Sequence, residues 1–285
     1  MQILDGRKVA DDLLAHTKEE VRILINSGIQ PKLAFLLIGK HPASLSYVKQ
    51  KEMACQKTNI QYEHHAFPET SSTQEIISLI SELNHREDIH GILVQLPLPS
   101  NIETPLVIKA INPEKDVDGF HAYNLGKMML NKNFESLTPC TPKGIIILLE
   151  TYKIPIEGQE IVMVGHSNIV GKPLSMMLLN RNATITTCHK YTKNLKAHTL
   201  RAEILIVAVG LPSLITGDMI KPGAVIVDVG INRVDGKLVG DVNFEQAKEK
   251  ASFITPVPGG VGPMTVACLM ANIVIACKKL TQKNS

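Results

Sequence analysis

Short apolar runs alternate with helix-length amphipathic stretches along nearly the whole chain, and that alternation limits the folds open to it more than any other feature. An amphipathic stretch from about Gly6 to Ser27 precedes the apolar run KLAFLLIG, Lys32–Gly39. SLSYVKQKEMACQKT then reads as a helix capped by Ser44, IQYEHHAF as a strand, TQEIISLISELNH as a helix, and HGILVQLPLP as a strand stopped by its prolines. A helix around Glu103–Ile111 and a turn-rich segment lead to TPKGIIILLETY, a helix with Pro142 in its first turn. A second series follows, with EIVMVG, ATITTCH, AEILIVAVG and AVIVDVGIN as short β-rich runs separated by helices or loops. Strands that alternate with helices predict parallel sheets covered on both faces, hence an α/β fold. A chain of 285 residues suits two domains better than one, and the best break lies near Thr138–Pro142.

Composition narrows the partners. The net charge is +3, with basic residues scattered among acidic ones, so no electrostatic footprint for nucleic acid or an acidic membrane is expected. The five cysteines, Cys55, Cys140, Cys188, Cys268 and Cys277, form no Cys-x-x-Cys pair and read as reduced thiols filling a core. The start MQILDGRKVADDLL shows no signal-peptide pattern, and the apolar run Val266–Cys277 contains Asn272 and reads as too short to span a bilayer. A cytoplasmic protein is the expectation. No metal is expected either: His64 and His65 are neighbours in a strand and face opposite sides.

The second half carries a cofactor signal. IVMVGHSNIVGKPLSMML reads as strand, glycine turn and helix, with Gly165, Ser167 and Gly171 in the turn and Pro173 in the first helical turn. Such a unit offers a helix N-terminus to a dinucleotide phosphate, although Ser167 replaces the second glycine of G-x-G-x-x-G, and an ordinary βα turn fits the same pattern. The next strand ends at His189 and Lys190, where an NAD-type site places a carboxylate on the ribose hydroxyls. A basic side chain there suits a 2′-phosphate and points to NADP, with a solvated surface lysine as the alternative. The strand-ending glycines of VAVG and VDVGIN would let a cofactor approach the backbone.

The first half carries the polar groups. Tyr47 and Lys51 are four apart and share a helical face, while Lys49 turns away toward solvent. A pair at this spacing serves packing as readily as catalysis. Gln95 ends an apolar strand, pinned by Pro97 and Pro99, and a buried amide there needs a partner such as an ammonium or a polar ligand. In KDVDGF, turn formation is the preferred role for Asp116.

ITPVPGGVGPMT, Ile254–Thr265, is a rigid, bare loop placed directly before the last helix. With ASLSYVKQKEMAC, GILVQLPLP, EKDVDGFH, PCTPKG, VGHSNIVGKP and GDV in this order, the chain resembles the bifunctional methylenetetrahydrofolate dehydrogenase/cyclohydrolase family over nearly its whole length. The resemblance implies an N-terminal α/β catalytic lobe, residues 1–140, that binds folate, and a Rossmann-type NADP-binding lobe, residues 141–262, with a cleft between them. It implies that the helix 263–285 packs back on the first lobe, and that the protein is a homodimer formed through the cofactor lobe. The ligands would be NADP and one-carbon derivatives of tetrahydrofolate.

By the same resemblance, Lys51 is the catalytic lysine that moves protons, Gln95 holds it, and Tyr47 packs on the folate and hydrogen-bonds it. Val94, Leu96, Asp118, Pro258, Gly259 and Gly260 would line the folate site, with Asp118 on the pterin edge. Gly165, His166, Ser167, Ile169, Val170, Lys190 and Ile231 would hold NADP. His166 departs from the arginine that many members carry after the first glycine, and Lys190 stands where many have serine, so Lys190 with protonated His166 is expected to take the 2′-phosphate. Two rivals share parts of the pattern: a two-lobed dehydrogenase of the shikimate or amino-acid type, and a non-catalytic folate- or nucleotide-binding protein.

Overall fold

The computed structural model describes residues 1–39 and 42–283. In chain order the elements are β1 (Gln2–Ile3), α1 (Gly6–Asn26), β2 (Lys32–Ile38), α2 (Pro42–Thr58), β3 (Gln61–Phe67), α3 (Thr73–His85), β4 (Gly91–Val94), α4 (Thr104–Ala110), α5 (Ala122–Leu130) and α6 (Cys140–Thr151). Then come β5 (Glu160–Val164), α7 (Gly171–Leu179), β6 (Thr184–Cys188), α8 (Leu195–Thr199), β7 (Ile204–Val207), β8 (Val225–Asp228), β9 (Asn232–Val234), β10 (Lys237–Val239), α9 (Phe244–Ala247), β11 (Phe253–Ile254) and α10 (Val261–Lys283). The chain is α/β with parallel sheets, as the alternation predicts.

Two compact units are present. One comprises Met1–Ala10, Met128–Phe134 and Thr141–Thr265, and contains a sheet in the order β1-β11-β8-β7-β5-β6 with every pairing parallel. Its strands β5, β7 and β8 are almost wholly buried, and the core gathers Val162, Val164, Leu205, Val207 and Ile226. Burial on both faces is what an unbroken aliphatic run needs, at about 1.5–3 kcal/mol for each fully buried side chain. Because β5 has β6 on one side and β7 on the other, the chain reverses its winding there, and the crevice beyond the strand ends at such a point is where open α/β sheets take ligands.

The other unit comprises Asp11–Lys127, Glu135–Cys140 and the chain from Val266 onward, around the parallel sheet β3-β2-β4. Ile76, Ile80 and Leu83 of α3 pack with Leu36, Ile92 and Val94 of the sheet. Ser72 and Glu75 close a capping box at the start of α3. At its other end the buried Lys115 ammonium donates to the carbonyls of Leu83, Asn84 and Arg86. A cation on the last carbonyls of a helix satisfies them and opposes the negative end of the dipole.

Several elements differ from the sequence expectation. Helix α2 begins at Pro42, two residues before Ser44, whose side chain lies outside the described residues. The segment read as turn-rich contains α5, and β1, β11 and the β9–β10 hairpin were not foreseen. The hairpin does have a sequence signal, Asp235-Gly236, and both residues take positive φ, 49° and 77°. The last helix corrects a reading of length. Val261–Gln282 is long and apolar enough to cross a membrane by composition, but 67% of its most apolar window is buried inside the protein, and Asn272 is wholly buried. It is built as a core helix.

Candidate active site

The carboxyl end of β4 lies beside β2, and the chain leaving β2 enters α2. This connection brings Lys51 of α2 to Gln95, the first residue past β4. Lys51 Nζ donates to Gln95 Oε1 at 3.0 Å, and each residue is only 8% exposed. Gln95 Nε2 donates to the Leu96 carbonyl at 2.7 Å, while the Gln95 amide donates to Leu36. The side-chain amide is therefore fixed at both ends and turns its oxygen to the ammonium. Tyr47, one helical turn before Lys51, is half-buried, and desolvation raises its phenol pKa, so it stays protonated and able to donate.

Asp116 and Asp118 lie on a turn that continues the sheet edge, with Ile92 N donating to Lys115 O and a bridge from Ile92 to Asp116. The Asp116 carboxylate accepts from the amides of Gly119, Phe120 and His121 and from Asn124 Nδ2, so it builds the turn. Gly119, at φ 73°, admits no side chain, because a Cβ would lie 2.3 Å from the Thr138 carbonyl carbon. Asn272 of α10 donates to the carbonyls of Val117 and Thr138 at 2.9 and 3.0 Å, tying the last helix to the residue before Asp118. This brace was not foreseen: an asparagine within a long apolar run marked its place, but nothing in the sequence marked its partners.

Asp118 is different from Asp116. Its carboxylate accepts no hydrogen bond among the described residues, and it lines a pocket with Val94, Leu96, Ile108, Asp116 and Phe120. Burial raises its pKa and Asp116 adds to the rise, while the nearby Lys51 lowers it. Val94 is buried and Leu96 half-buried, and of the expected folate-lining residues Val94, Leu96 and Asp118 line this one pocket, whereas the Gln95 side chain turns to Lys51 of α2, the helix that also carries Tyr47.

In the six-stranded unit the turn after β5 is shaped by close approach. Gly165, at φ 125°, lies where a Cβ would meet Ala208 O at 2.3 Å, and a Cβ on Gly171 would meet Gly165 O at 2.2 Å. The Ser167 hydroxyl accepts from the amides of Val170 and Gly171, so two amides at this helix start are already satisfied by protein. His166, Ser167, Ile169 and Lys190 are exposed, and Val170 is half-buried. The His166 ring lies 4.9 Å from that of His189, and Lys190 Nζ lies over Tyr191. Gly210, at φ 71° past the end of β7, has open space where a side chain would stand, and Ile231, past β8, is exposed. Glycine cradles, bare strand ends and exposed basic groups around a winding reversal fit a phosphorylated dinucleotide.

The loop before α10 belongs to the same unit. Gly259 takes φ 108° and its carbonyl accepts from the Arg7 amide. A Cβ on Gly260 would lie 2.6 Å from Pro256 O, and one on Gly6 would lie 1.8 Å from Gly260 O. Pro258 and these two glycines thus form a tightly packed bend against the start of α1.

Comparison with known proteins supports the assignment. Residues 4–118 match the tetrahydrofolate dehydrogenase/cyclohydrolase catalytic domain, and residues 139–281 match the NAD(P)-binding domain of the same family. The chain is 54% identical over 279 residues to the bifunctional protein FolD of Moorella thermoacetica, covering 98% of this chain and 99% of the relative. The crystal structure of the bifunctional FolD from Campylobacter jejuni superposes with TM-score 0.95 at 46% identity, covering 98% and 99% of the two chains. The Trypanosoma brucei FolD, solved with NADP cofactor and inhibitor, superposes with TM-score 0.94 at 34% identity, covering 98% and 97%. Shikimate dehydrogenase from Thermus thermophilus shares the fold alone, at 12% identity and TM-score 0.51. Two domain matches in the family's order and relatives alike over the full length agree with the Lys51–Gln95 pair and the glycine turn: the chain is a member of the tetrahydrofolate dehydrogenase/cyclohydrolase family.

Proposed function

We propose that this protein oxidises 5,10-methylenetetrahydrofolate to 5,10-methenyltetrahydrofolate with NADP+, then hydrolyses the product to 10-formyltetrahydrofolate, serving one-carbon metabolism. The observation that carries this reading is the buried Lys51–Gln95 pair near the Asp118 carboxylate, which accepts no hydrogen bond among the described residues. In the first step the bridge carbon gives up a hydride and its two flanking nitrogens share the positive charge, so the protein has to supply position rather than an acid or base. A bound NADP+ would supply the hydride acceptor. The side chains of Ile169, Val170 and Ile231 with the Gly165 turn would hold it, and Lys190 with His166 would meet the 2′-phosphate.

The second step adds water to the methenyl carbon. The hydroxyl oxygen becomes the formyl oxygen, the bond from carbon to N5 breaks, N5 takes up one proton and one is released. Proton transfer is thus the chemical task, and Lys51 Nζ is the group that performs it, with Gln95 Oε1 fixing its direction. Tyr47 donates to the folate and packs on it, and Asp118 accepts from the 2-amino-pyrimidinone edge of the pterin. Pro258, Gly259 and Gly260 would add bare backbone to the folate site. The reading extends to a cytoplasmic homodimer joined through the six-stranded unit, where Val234 and Leu238 of the hairpin are exposed.

A spectrophotometric assay tests the function: methylenetetrahydrofolate-dependent formation of NADPH, followed by decay of the methenyl absorbance. Lys51→Met is expected to lower cyclohydrolase turnover by about a hundredfold or more, the scale of a lost general acid–base group. Rapid decay of the methenyl absorbance in that variant would remove Lys51 from the proton-transfer role.

A further inference from the structure

Two aspartates that take no part in the chemistry above are buried together at the carboxyl ends of β7 and β8, Asp228 as the last residue of β8. Asp228 is 4% exposed and Asp241 is wholly buried. No lysine, arginine or histidine forms an ion pair with either among the described residues. Backbone amides meet them instead. Asp228 accepts from the amides of Gly230, Asp241 and Val242, and Asp241 accepts from the amides of Val209 and Gly210 and from Asn232 Nδ2, at 2.6, 2.9 and 2.8 Å.

Two glycines make room for the carboxylates. A Cβ on Gly230 would lie 2.2 Å from Asp241 Oδ1, and one on Gly240 would lie 1.8 Å from Asp228 Oδ2. The Thr255 hydroxyl accepts from the Asp228 amide, so a third segment joins, the one that opens the Pro258–Gly260 loop. Burying carboxylates without a cation costs several kcal/mol before compensation, and an ordinary turn would join these loops without them. The arrangement pins both neighbours of Ile231: the Gly230 amide is held by Asp228, and the Asn232 side chain by Asp241. Ile231 itself is left 45% exposed. The Val209 and Gly210 amides at the next strand end both donate to the other Asp241 oxygen, Oδ2.

We propose that Asp241 is a positioning residue for cofactor binding and hydride transfer, setting Ile231 and the Val209–Gly210 backbone in the place that NADP+ requires. This rests on the dehydrogenase reading above. It acts on one activity only, since hydrolysis of supplied methenyltetrahydrofolate needs no dinucleotide.

The test uses the full-length protein and its Asp241→Asn and Asn232→Ala variants. Four quantities are measured: the NADP+ dissociation constant by calorimetry, dehydrogenase kcat and KM, cyclohydrolase turnover on methenyltetrahydrofolate without NADP+, and Tm. Asp241→Asn is expected to weaken NADP+ binding and dehydrogenase kcat/KM by about tenfold or more, the scale of a lost charged hydrogen bond, with cyclohydrolase turnover within about twofold of wild type. A parallel fall of both activities, or unchanged NADP+ affinity, overturns it. If Asp241→Asn does not fold, Asn232→Ala decides, because it removes one donor and leaves both carboxylates in place. Its expected loss is about threefold in NADP+ affinity with cyclohydrolase intact, and unchanged affinity overturns the proposal. A wild-type protein that neither binds nor reduces NADP+ would refute the function itself, whereas a competent wild type with an equally competent Asp241→Asn refutes only this inference.

Discussion

Asp116 and Asp118 are two residues apart on one turn, and the number of protein donors each receives separates their roles. Four donors fill the acceptor sites of Asp116. Asp118 has none among the described residues and faces a pocket, so its oxygens are left for a ligand. Asp118→Ala is expected to weaken folate binding by about tenfold or more, since hydrogen bonds to a charged group contribute roughly 1.5–3 kcal/mol each. The sign with pH follows from burial, which raises the Asp118 pKa. Folate affinity carried by the ionised carboxylate declines as pH falls through that raised value, so the gap between wild type and variant narrows in acid. Dissociation constants measured at neutral and acid pH for both proteins check this, and an equal gap at the two would count against it. At this scale the sequence separated Asp116 as turn chemistry because Lys-Asp-Val-Asp-Gly is a turn pattern. It could not show that the Ser167 hydroxyl takes two amides of the glycine turn, nor that Asp228 and Asp241 share a knot, because the hairpin that folds VDVGIN back on GDV has strands of three residues, too short for a period.

Among the elements, ion pairs join Lys32 of β2 and Glu63 of β3 to Arg86 and Asp88 on the segment that leads into β4. Lys32 reaches Glu63 and Asp88, and Arg86 forks onto both. Burial works to raise the Glu63 pKa, but hydrogen bonds from Arg86, Lys32 and His65 prevail and hold it at about 2. Those of Arg86 and Lys32 likewise hold Asp88 below the usual carboxylate range. The folded state therefore binds protons more weakly than the unfolded chain, and this stability is present above the ordinary carboxylate range and lost as pH falls toward 2. At about 1.4 kcal/mol per pKa unit, the Glu63 contribution is at most roughly 3 kcal/mol, reduced by solvent screening of a partly exposed pair. Glu63→Gln is expected to cost about 1–3 kcal/mol at pH 7 and to approach wild type in acid. Denaturant melts at several pH values measure it, and a cost independent of pH would exclude the ion-pair origin. Elements of this length were legible where periodicity had room: α3 falls on TQEIISLISELNH, Thr73–His85. The two-residue strands β1 and β11 have no period to read, and α5 is a short helix with the poor helix former Gly126 at its middle, in a stretch that begins as turns.

Over the whole molecule, the two units are built from chain segments that interleave. The N-terminal strand β1 pairs with β11 at the edge of the six-stranded sheet, while the chain from Val266 onward belongs to the three-stranded unit. Leu269, Met270, Ile273 and Val274 of α10 are at most 1% exposed, and Asn272 satisfies the buried Val117 and Thr138 carbonyls. Fully burying such side chains stabilises by about 1.5–3 kcal/mol each, so a few of them equal the 5–15 kcal/mol net stability typical of a domain. Losing Asn272 also removes two hydrogen bonds and leaves the Val117 carbonyl only the weak Cys140 thiol donor, at about 1–3 kcal/mol for a buried acceptor without its partner. A fragment of residues 1–140, although it holds Lys51, Gln95 and Asp118, is therefore expected to lack a cooperative thermal transition. Joining residues 261–283 to it through a long Gly/Ser linker should restore one, because the linker supplies the missing face at high effective concentration. Circular dichroism melts of both polypeptides test this. A cooperative transition of the bare fragment near the Tm of the full chain would mean that the last helix is dispensable to the unit that holds the lysine.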